Sequence, residues 1–336
     1  MGHGFHKKES DSAVVEWKKK LPPNFRLIDV EDMRIVVADS SMQYVTLSYV
    51  WPKGPPLRLE MKNKDDLMGP GEPLARAEFR DKIPPTIRDA MEICHRIADR
   101  YLWVDALCII QDDDHIDGDK AVQIGAMDAI YGSSVLTIAA TCGNGAEAKL
   151  PGVGLGSRNI NQKTEIVQGH RLTNRPWSYH QSVSDSKWNS RAWTFQERVL
   201  SKRKLFVTPQ MMFFRCSHTP SMMAEDLDAD PRARTLVTYA MDDTGADQIP
   251  IHGSINTETY RLTVEKFTCR DITKKCDILN AFTGIEAKDG TNLSELLPSR
   301  ASTVRVQLLL DVGALRRDQA PCVSGHGMQE PRLSQT

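Results

Sequence analysis

The amino-acid sequence predicts an α/β fold with a mostly parallel sheet and flanking helices. Between residues 86 and 141, segments of helical period alternate with short segments rich in β-branched residues. This order, helix–strand–helix–strand, is typical of parallel sheets, in which helices form the crossovers. The strand segments are almost continuously apolar, as expected where helices cover both faces of the sheet. Periodicity weakens beyond residue 216, so we expect a less regular C-terminal extension.

Three short β segments are predicted ahead of this unit, over residues 25–29, 34–38 and 44–51. Each is rich in β-branched or aromatic residues and is bounded by Asp, Ser or Asn. Residues 52–85 are rich in proline and charge, which predicts a long surface loop. A short helix is expected within it, around residues 74–79.

The first helix of the unit is predicted to begin at Thr86, whose hydroxyl can cap it, with Asp89 favouring the helix dipole. A strand is predicted over residues 101–110, an almost unbroken apolar run. Asp105 interrupts this run. A lone carboxylate there is costly unless it is hydrogen-bonded or lies at the strand's end.

The acidic loop 111–119 superficially resembles a calcium-binding loop. We exclude calcium, because Ile124 stands where the bidentate Glu would be, and we expect Asp117 or Asp119 to cap the next helix instead. That helix is predicted over residues 120–131 with Gly132 ending it, and a buried strand follows over 134–141.

The glycine-rich segment 152–157 is predicted to be a loop. Ser157 replaces the third glycine of a dinucleotide-binding fingerprint, and no helical pattern follows.

A helix over residues 190–200 and a hairpin about residues 208–210 are predicted next. Residues 217–250 are acidic and polar, typical of a linker or mobile insertion, whereas 256–285 have a helical pattern. These observations divide the chain into four parts. They are a polar lead-in (1–24), one domain with flanking strands (25–216), a linker with a helical C-terminal extension (217–298) and an irregular tail (299–336).

Composition excludes several classes of protein. The 43 basic and 44 acidic residues give a net charge of -1, so no strong field favours nucleic acid. No segment has the roughly 20 apolar residues that span a bilayer, and the N-terminus lacks a secretory signal, so we expect a cytoplasmic protein without a membrane span. The seven cysteines form no CxxC pair, which argues against a disulfide framework and against a cysteine-rich metal site.

Five stretches together resemble, in order and spacing, the heterokaryon incompatibility (HET) domain of fungi. They are YVTLSYVW (44–51), IPPTIRDAMEIC (83–94), YLWVDALCIIQDD (101–113), QIGAMDAIYGSSVLTIAAT (123–141) and WNSRAWTFQERVLSKRKLF (188–206). The resemblance implies a role in non-self recognition, a form of fungal innate immunity, and in programmed cell death. It also implies protein partners and self-association. HET domains are distantly similar to TIR domains, which implies a flavodoxin-like arrangement.

Two features depart from the family pattern. Pro52 follows Trp51 where the family usually has Gly, and proline fixes φ and removes an N–H. Residues 299–336 lack the Trp- and Ser-rich continuation common in such proteins, which fits a truncated or mis-predicted C-terminal half.

The TIR resemblance points to chemistry, since some TIR domains hydrolyse NAD. Breaking the nicotinamide–ribose bond develops positive charge, which a fixed carboxylate stabilises. Asp105 and Glu197 are the catalytic candidates. A polar and aromatic set is expected to bind the nucleotide: Trp51, Gln111, Arg191, Trp193 and Gln196.

Structural roles stay open for the same residues. Asp105 can cap a backbone segment, Glu197 can pair with Arg191 or Arg198, and the tryptophans can pack in the core. Two functions therefore remain: a NAD hydrolase, with NAD as substrate and no required cofactor, or a signalling module that acts by self-association. The departures at Pro52 and at the C-terminus leave a third alternative, an inert member of the family.

Overall fold

The computed structural model describes most of residues 20–216 and shorter segments beyond. The described residues are 20–39, 41–52, 54, 56–154, 157–158, 164–173, 177–216, 222–225, 236–239, 257–272, 278 and 281–282. Most of the predicted lead-in and all of the predicted tail lie outside them. The four-part division of the chain stays a prediction.

The described residues contain eleven strands, of which nine form one sheet. The strands are β1 (Arg26–Asp29), β2 (Arg34–Val37), β3 (Val45–Ser48), β4 (Tyr101–Trp103), β5 (Leu136–Ala140), β6 (Thr164–Val167), β7 (His170–Thr173), β8 (Arg203–Val207), β9 (Met212–Cys216), β10 (Met222–Glu225) and β11 (Leu236–Tyr239). The sheet order is β11-β10-β9-β8-β5-β3-β4-β1-β2, and β6 and β7 form a separate hairpin.

The α-helices of the described residues are mostly short. They are α1 (Lys64–Met68), α2 (Ala77–Arg80), α3 (Pro85–Arg96), α4 (Asp105–Cys108), α5 (Asp119–Gly125), α6 (Met127–Ser133), α7 (Ala192–Leu200) and α8 (Thr257–Thr268). A 3₁₀ turn (Pro73–Ala75) and a π-helical turn (His180–Ser184) accompany them.

Four strands in the centre of the sheet are parallel. β3 pairs in parallel with β4 and β5, and β5 pairs in parallel with β8. Antiparallel strands extend both sides. Numbered along the chain, the parallel strands have the spatial order 2-1-3-4, as in flavodoxin-like sheets. The predicted α/β class is confirmed, with the parallel pairing confined to the centre.

The predicted strand over residues 101–110 is wrong beyond Trp103. The chain turns into α4 at Asp105, where Leu107 and Cys108 donate backbone hydrogen bonds to the Val104 carbonyl. Continuous apolarity misled the prediction, because a buried helical turn and a buried strand have the same composition. Asp105 therefore lies just past the end of β4.

The predicted helix over residues 120–131 is two helices, α5 and α6, separated at Ala126. Gly132 lies inside α6 rather than ending it. Neither Asp117 nor Asp119 caps α5; instead the Asp113 carboxylate accepts the Asp119 N–H at 2.7 Å.

The predicted capping of α3 by Thr86 is also wrong. The helix begins at Pro85 with Pro84 as N-cap and no side-chain cap. Thr86 donates to the Ala148 carbonyl, and Asp89 accepts the Leu150 N–H at 2.6 Å. Both polar side chains thus hold the loop after β5 against α3.

Two stretches of the predicted linker, 222–225 and 236–239, are β10 and β11, which extend the sheet. The other secondary-structure predictions for β1–β3, α3, β5, α7 and the β8–β9 hairpin are confirmed within a few residues at their ends. The helical pattern predicted over 256–285 is confirmed at its start, but α8 ends at Thr268.

Helices α6 and α7 cover one face of β3. The Tyr131 hydroxyl of α6 donates to the Leu47 carbonyl at 3.1 Å, and Ser48 donates to Glu197 of α7. Thr46, two residues before Ser48 on the same face, shares a hydroxyl–hydroxyl bond of 2.7 Å with Thr137 of β5. This buried polar row packs α7 against the face of the sheet and brings Glu197 to the carboxyl end of β3.

Candidate functional site

The carboxyl ends of β3 and β4 hold a cluster of buried polar groups under α7. In parallel sheets, ligands bind outside these ends, at the point where successive connections leave in opposite directions. Here that point lies between β3, whose connection leads to β4, and β5, whose connection leads to β8. Ser48 is the last residue of β3, and Asp105 lies two residues after the end of β4.

Glu197 is the deepest charged group of this cluster, and 7% of it is exposed. Its carboxyl accepts a hydrogen bond from the Ser48 hydroxyl. The Trp188 indole N–H in turn donates to the Ser48 Oγ at 2.7 Å. Burial, together with the negative charge of Asp105, raises the pKa of Glu197 to about 8. A largely neutral Glu197 is therefore expected near pH 7.

Asp105 is part exposed and has two N–H donors. The Trp51 indole Nε1 donates to Oδ2 at 2.5 Å, and the Ala106 backbone N–H donates to Oδ1 at 2.7 Å. Burial still raises the pKa of Asp105, against the opposing effects of Trp51 and of the Arg191 charge. The Arg58 guanidinium lies over the Trp51 ring, with its central carbon 5.2 Å from the ring centroid.

The two carboxyl groups influence each other and share one cationic neighbour. Asp105 raises the pKa of Glu197, while the positive charge of Arg191 lowers the pKa of both groups. Burial and the charges of these carboxylates keep the pKa of Tyr49 and of Tyr131 well above the usual value. The two carboxyl groups thus lie in a largely buried cluster in which negative charge is unfavourable.

A segment well beyond α7 in the chain fixes the start of that helix. The Asp271 carbonyl accepts the Ala192 N–H at 3.0 Å, and the Asp271 N–H donates to the Ser190 carbonyl at 2.6 Å. Arg270 donates to the Arg191 carbonyl at 3.2 Å and lies 4.6 Å over the Phe195 ring. Residues after α8 therefore help to hold the helix that carries Glu197.

The structure brings four of the predicted site residues together: Trp51, Asp105, Arg191 and Glu197. Trp51 keeps its bond to Asp105 although Pro52 follows it. Gln111 instead supports the turn below, because its amide donates to the Asp105 and Ile109 carbonyls. None of these contacts tests catalysis or binding, so those roles stay predictions.

Trp193 and Gln196 lie on α7 beside the site rather than in it. Trp193 is part buried against apolar side chains of two core clusters. Gln196 is buried, and among the described residues its Oε1 has no hydrogen-bond partner. No contact of either side chain with Asp105 or Glu197 is seen.

Sequence reasoning missed four residues of the cluster: Ser48, Tyr49, Tyr131 and Trp188. A signal for Ser48 existed, because it shares the alternation phase of Thr46 in an otherwise apolar strand. Tyr131 and Trp188 gave none, since a buried aromatic in the core has the same sequence pattern.

The raised pKa of Glu197 predicts a pH-dependent stability. Below about pH 4.3 the group is protonated in both folded and unfolded chains. Between there and about pH 8 the folded chain keeps a proton that the unfolded chain has lost, so stability falls as pH rises. The slope reaches at most about 1.4 kcal/mol per pH unit.

Glu197→Gln removes this titrating carboxyl group. The Tm of the variant minus that of wild type should therefore increase from pH 5 to pH 8. Glu92→Gln, on the exposed side of α3, is the matched control and should show no such trend. Parallel Tm curves for Glu197→Gln and wild type would contradict the raised pKa.

Two further observations concern the described residues alone. No helix among them is long and apolar enough to cross a bilayer. No group of three or more His, Cys, Asp or Glu side chains gathers there as metal ligands would. The expectation of a site without metal stays a prediction.

Comparison with known proteins identifies the domain that carries this cluster. Residues 44–197 match the family model described as Heterokaryon incompatibility protein (HET). The match begins one residue before β3 and ends at Glu197. No curated protein and no solved structure gives a significant match. Residues 44–197, a little under half of the chain, are therefore a heterokaryon incompatibility (HET) domain.

Proposed function

We propose that this chain is a cytoplasmic effector of fungal non-self recognition and programmed cell death, and that it kills by hydrolysing NAD. The description of the matched family supports the biological role. The buried pair Asp105 and Glu197, both with raised pKa at the carboxyl end of the parallel strands, supports the chemistry.

The electrostatics of the pair favour a cationic ligand. Each carboxyl group would ionise more readily if a second positive charge joined that of Arg191. The nicotinamide ring of NAD is a cation, and during bond cleavage its charge moves onto the ribose. A substrate of this kind lowers the pKa of both carboxyl groups, so the site and its ligand stabilise each other.

In the proposed reaction, one bond breaks and one bond forms at C1′ of the ribose. The bond between ribose C1′ and the ring nitrogen breaks, and its electron pair stays on the nitrogen, so that nicotinamide leaves neutral. The positive charge on C1′ is stabilised by the carboxylates of Asp105 and Glu197. Water then attacks C1′ and loses its proton to one of these carboxylates, which gives ADP-ribose.

The sheet topology supports the comparison with TIR domains. The order 2-1-3-4 of the parallel strands is that of flavodoxin-like sheets, and the carboxyl pair lies at the position where such sheets bind ligands. We therefore include a TIR-like mode of action in the proposal.

A second function, signalling by self-association, is favoured by one surface. The β6–β7 hairpin exposes apolar side chains, with Ile166 78% and Leu172 55% exposed. Exposed apolar patches often mark protein–protein contacts. In this alternative the domain recruits protein partners, and the carboxyl pair serves only the fold.

Expression in a fungal host separates the two functions. Cells that express wild type should lose NAD before they lose viability, whereas Glu197→Gln and Asp105→Asn should spare both at equal protein levels. Glu92→Gln serves as the control and should behave as wild type. Death with unchanged NAD would reject the hydrolase and favour self-association, which Ile166→Asp would then be expected to block.

A further inference from the structure

A cavity opens at the carboxyl ends of β5 and β8, two of the four parallel strands. Its volume is about 510 Å³, within the range of roughly 300–1,000 Å³ typical of small-molecule sites. The lining residues are Thr141, Gly143, Asn144, Trp177, Gln181, Ser182, Asp185, Ser186, Lys187 and Pro209. We call this cavity the β5–β8 cleft.

One wall of the β5–β8 cleft is the π-helical turn His180–Ser184. Such turns are rare and occur often at functional sites. Ser182 of this turn lines the cleft and is only 5% exposed. Its hydroxyl has no hydrogen-bond partner in the part of the chain that the structure describes. A buried, unpaired hydroxyl is costly, so a ligand that bonds to it would gain affinity.

Trp177 gives the cleft an aromatic surface. The residue is 51% exposed, which is unusual for a side chain of this size. Its backbone N–H donates to the Gln210 Oε1 at 2.8 Å, so the main chain is held while the indole stays open. An open indole held in this way is a stacking platform for a planar ring.

The charges of the cleft favour a neutral ligand. Lys187 is its cationic lining residue, and the ammonium group is already paired with Asp271 at 2.9 Å. Asp185 contributes a carboxylate, and the remaining polar groups are hydroxyls and amides. A phosphate would meet no unpaired cation among these lining residues, whereas ring hydroxyls would meet both donors and acceptors.

Two segments of the chain connect the β5–β8 cleft with the carboxyl pair. Lys187 directly precedes Trp188, which holds Ser48 beside Glu197. On the other side, a methyl group built on Gly145 would lie 3.8 Å from the Trp51 carbonyl oxygen. The loop after β5 and the segment before α7 thus contact the carboxyl cluster and also line the cleft.

We propose that the β5–β8 cleft binds a neutral ribonucleoside moiety, with its base stacked on Trp177 and a ribose hydroxyl bonded to Ser182. The identity of that moiety rests on the proposed function: it is the adenosine half of NAD, while the nicotinamide riboside half lies at Asp105 and Glu197.

Calorimetric titration with adenosine tests the cleft without any turnover. Wild type and Glu197→Gln should bind adenosine equally, because Glu197 lies outside the cleft. Trp177→Ala should weaken binding about tenfold to hundredfold, the usual loss when one base-stacking contact is removed, and Trp177→Phe should restore most of it. Ser182→Ala should weaken binding without lowering Tm. Ile116→Ala, an exposed apolar position outside the cleft, is the control.

Kinetics with two substrates then link the cleft to the reaction. Trp177→Ala should raise KM for NAD while leaving nicotinamide riboside hydrolysis unchanged, since that substrate lacks adenosine. Adenosine binding that Trp177→Ala does not weaken, or no binding at millimolar adenosine, would overturn the assignment. If adenosine binds through Trp177 but no variant hydrolyses NAD, the cleft stands and only the proposed hydrolysis fails.

Discussion

Replacing Glu197 by glutamine is expected to lower kcat/KM for NAD hydrolysis by about 10²–10⁴-fold, the range for losing one catalytic proton-transfer or charge-stabilising group. Glutamine has the shape of protonated glutamate and its carbonyl oxygen can still accept the Ser48 hydrogen bond. The fold should therefore survive, and the loss should come from the missing negative charge.

The pH profile gives this prediction its sharpest form. If ionised Glu197 is needed, kcat/KM of wild type should rise with pH up to about 8, where half of the free enzyme has lost that proton. Asp105→Asn should also lose activity, and by lowering the pKa of Glu197 it should move the rising limb to lower pH. Purified protein and a nicotinamide-release assay suffice.

Controls separate catalysis from damage to the fold. Circular dichroism and Tm should match between wild type and Glu197→Gln near pH 5, where both carry a neutral group at residue 197. Activity of Glu197→Gln within threefold of wild type across the pH range would remove Glu197 from the mechanism and leave Asp105 as the remaining carboxylate of the pair.

Replacing Trp188 by alanine is expected to lower the free energy of unfolding by about 3–5 kcal/mol, as for other large buried aromatics. Only 1% of Trp188 is exposed, and its ring packs edge-on against Phe206 with centroids 5.9 Å apart. The change leaves a cavity and removes the N–H that holds Ser48. Urea denaturation at fixed pH measures the loss.

Trp188→Phe separates the two contributions. Phenylalanine keeps much of the volume but has no N–H, so the loss should be smaller, about 1–2 kcal/mol from the missing hydrogen bond and the reduced bulk. A loss below about 1 kcal/mol for Trp188→Ala would contradict the packing seen around this residue.

Much of the fold could be predicted from local patterns. The apolar period of α3 and the β-branched segments of β3 and β5 gave their type and approximate bounds, because one-sided burial imposes a periodicity on the sequence. The run 101–110 failed for a physical reason. Where every side chain is buried, a strand and a helical turn have the same apolar sequence pattern. The end of β4, where the chain turns into α4 at Asp105, could therefore not be located from the sequence.

The site could be predicted in part. Asp105 stood out because it interrupts an apolar run, and Glu197 was a candidate through the resemblance to TIR domains. The structure brings them into one electrostatic unit although they are 92 positions apart in the sequence. Ser48 and Trp188 joined them through contacts that no local pattern contains. Asp271 and Arg270, which form hydrogen bonds with the start of α7, likewise lie outside the matched domain.

The sequence by itself determined the family, through five matching stretches in order, and the α/β class, through periodicity along the chain. It also offered Asp105 and Glu197 as candidates, through the resemblance to TIR domains. Only the tertiary structure decided where β4 ends, which groups hold each carboxyl and how far their pKa values rise. Burial and charge coupling depend on distances between residues that are remote in sequence, and these distances exist only once α7 packs against the sheet with Glu197 beside Ser48.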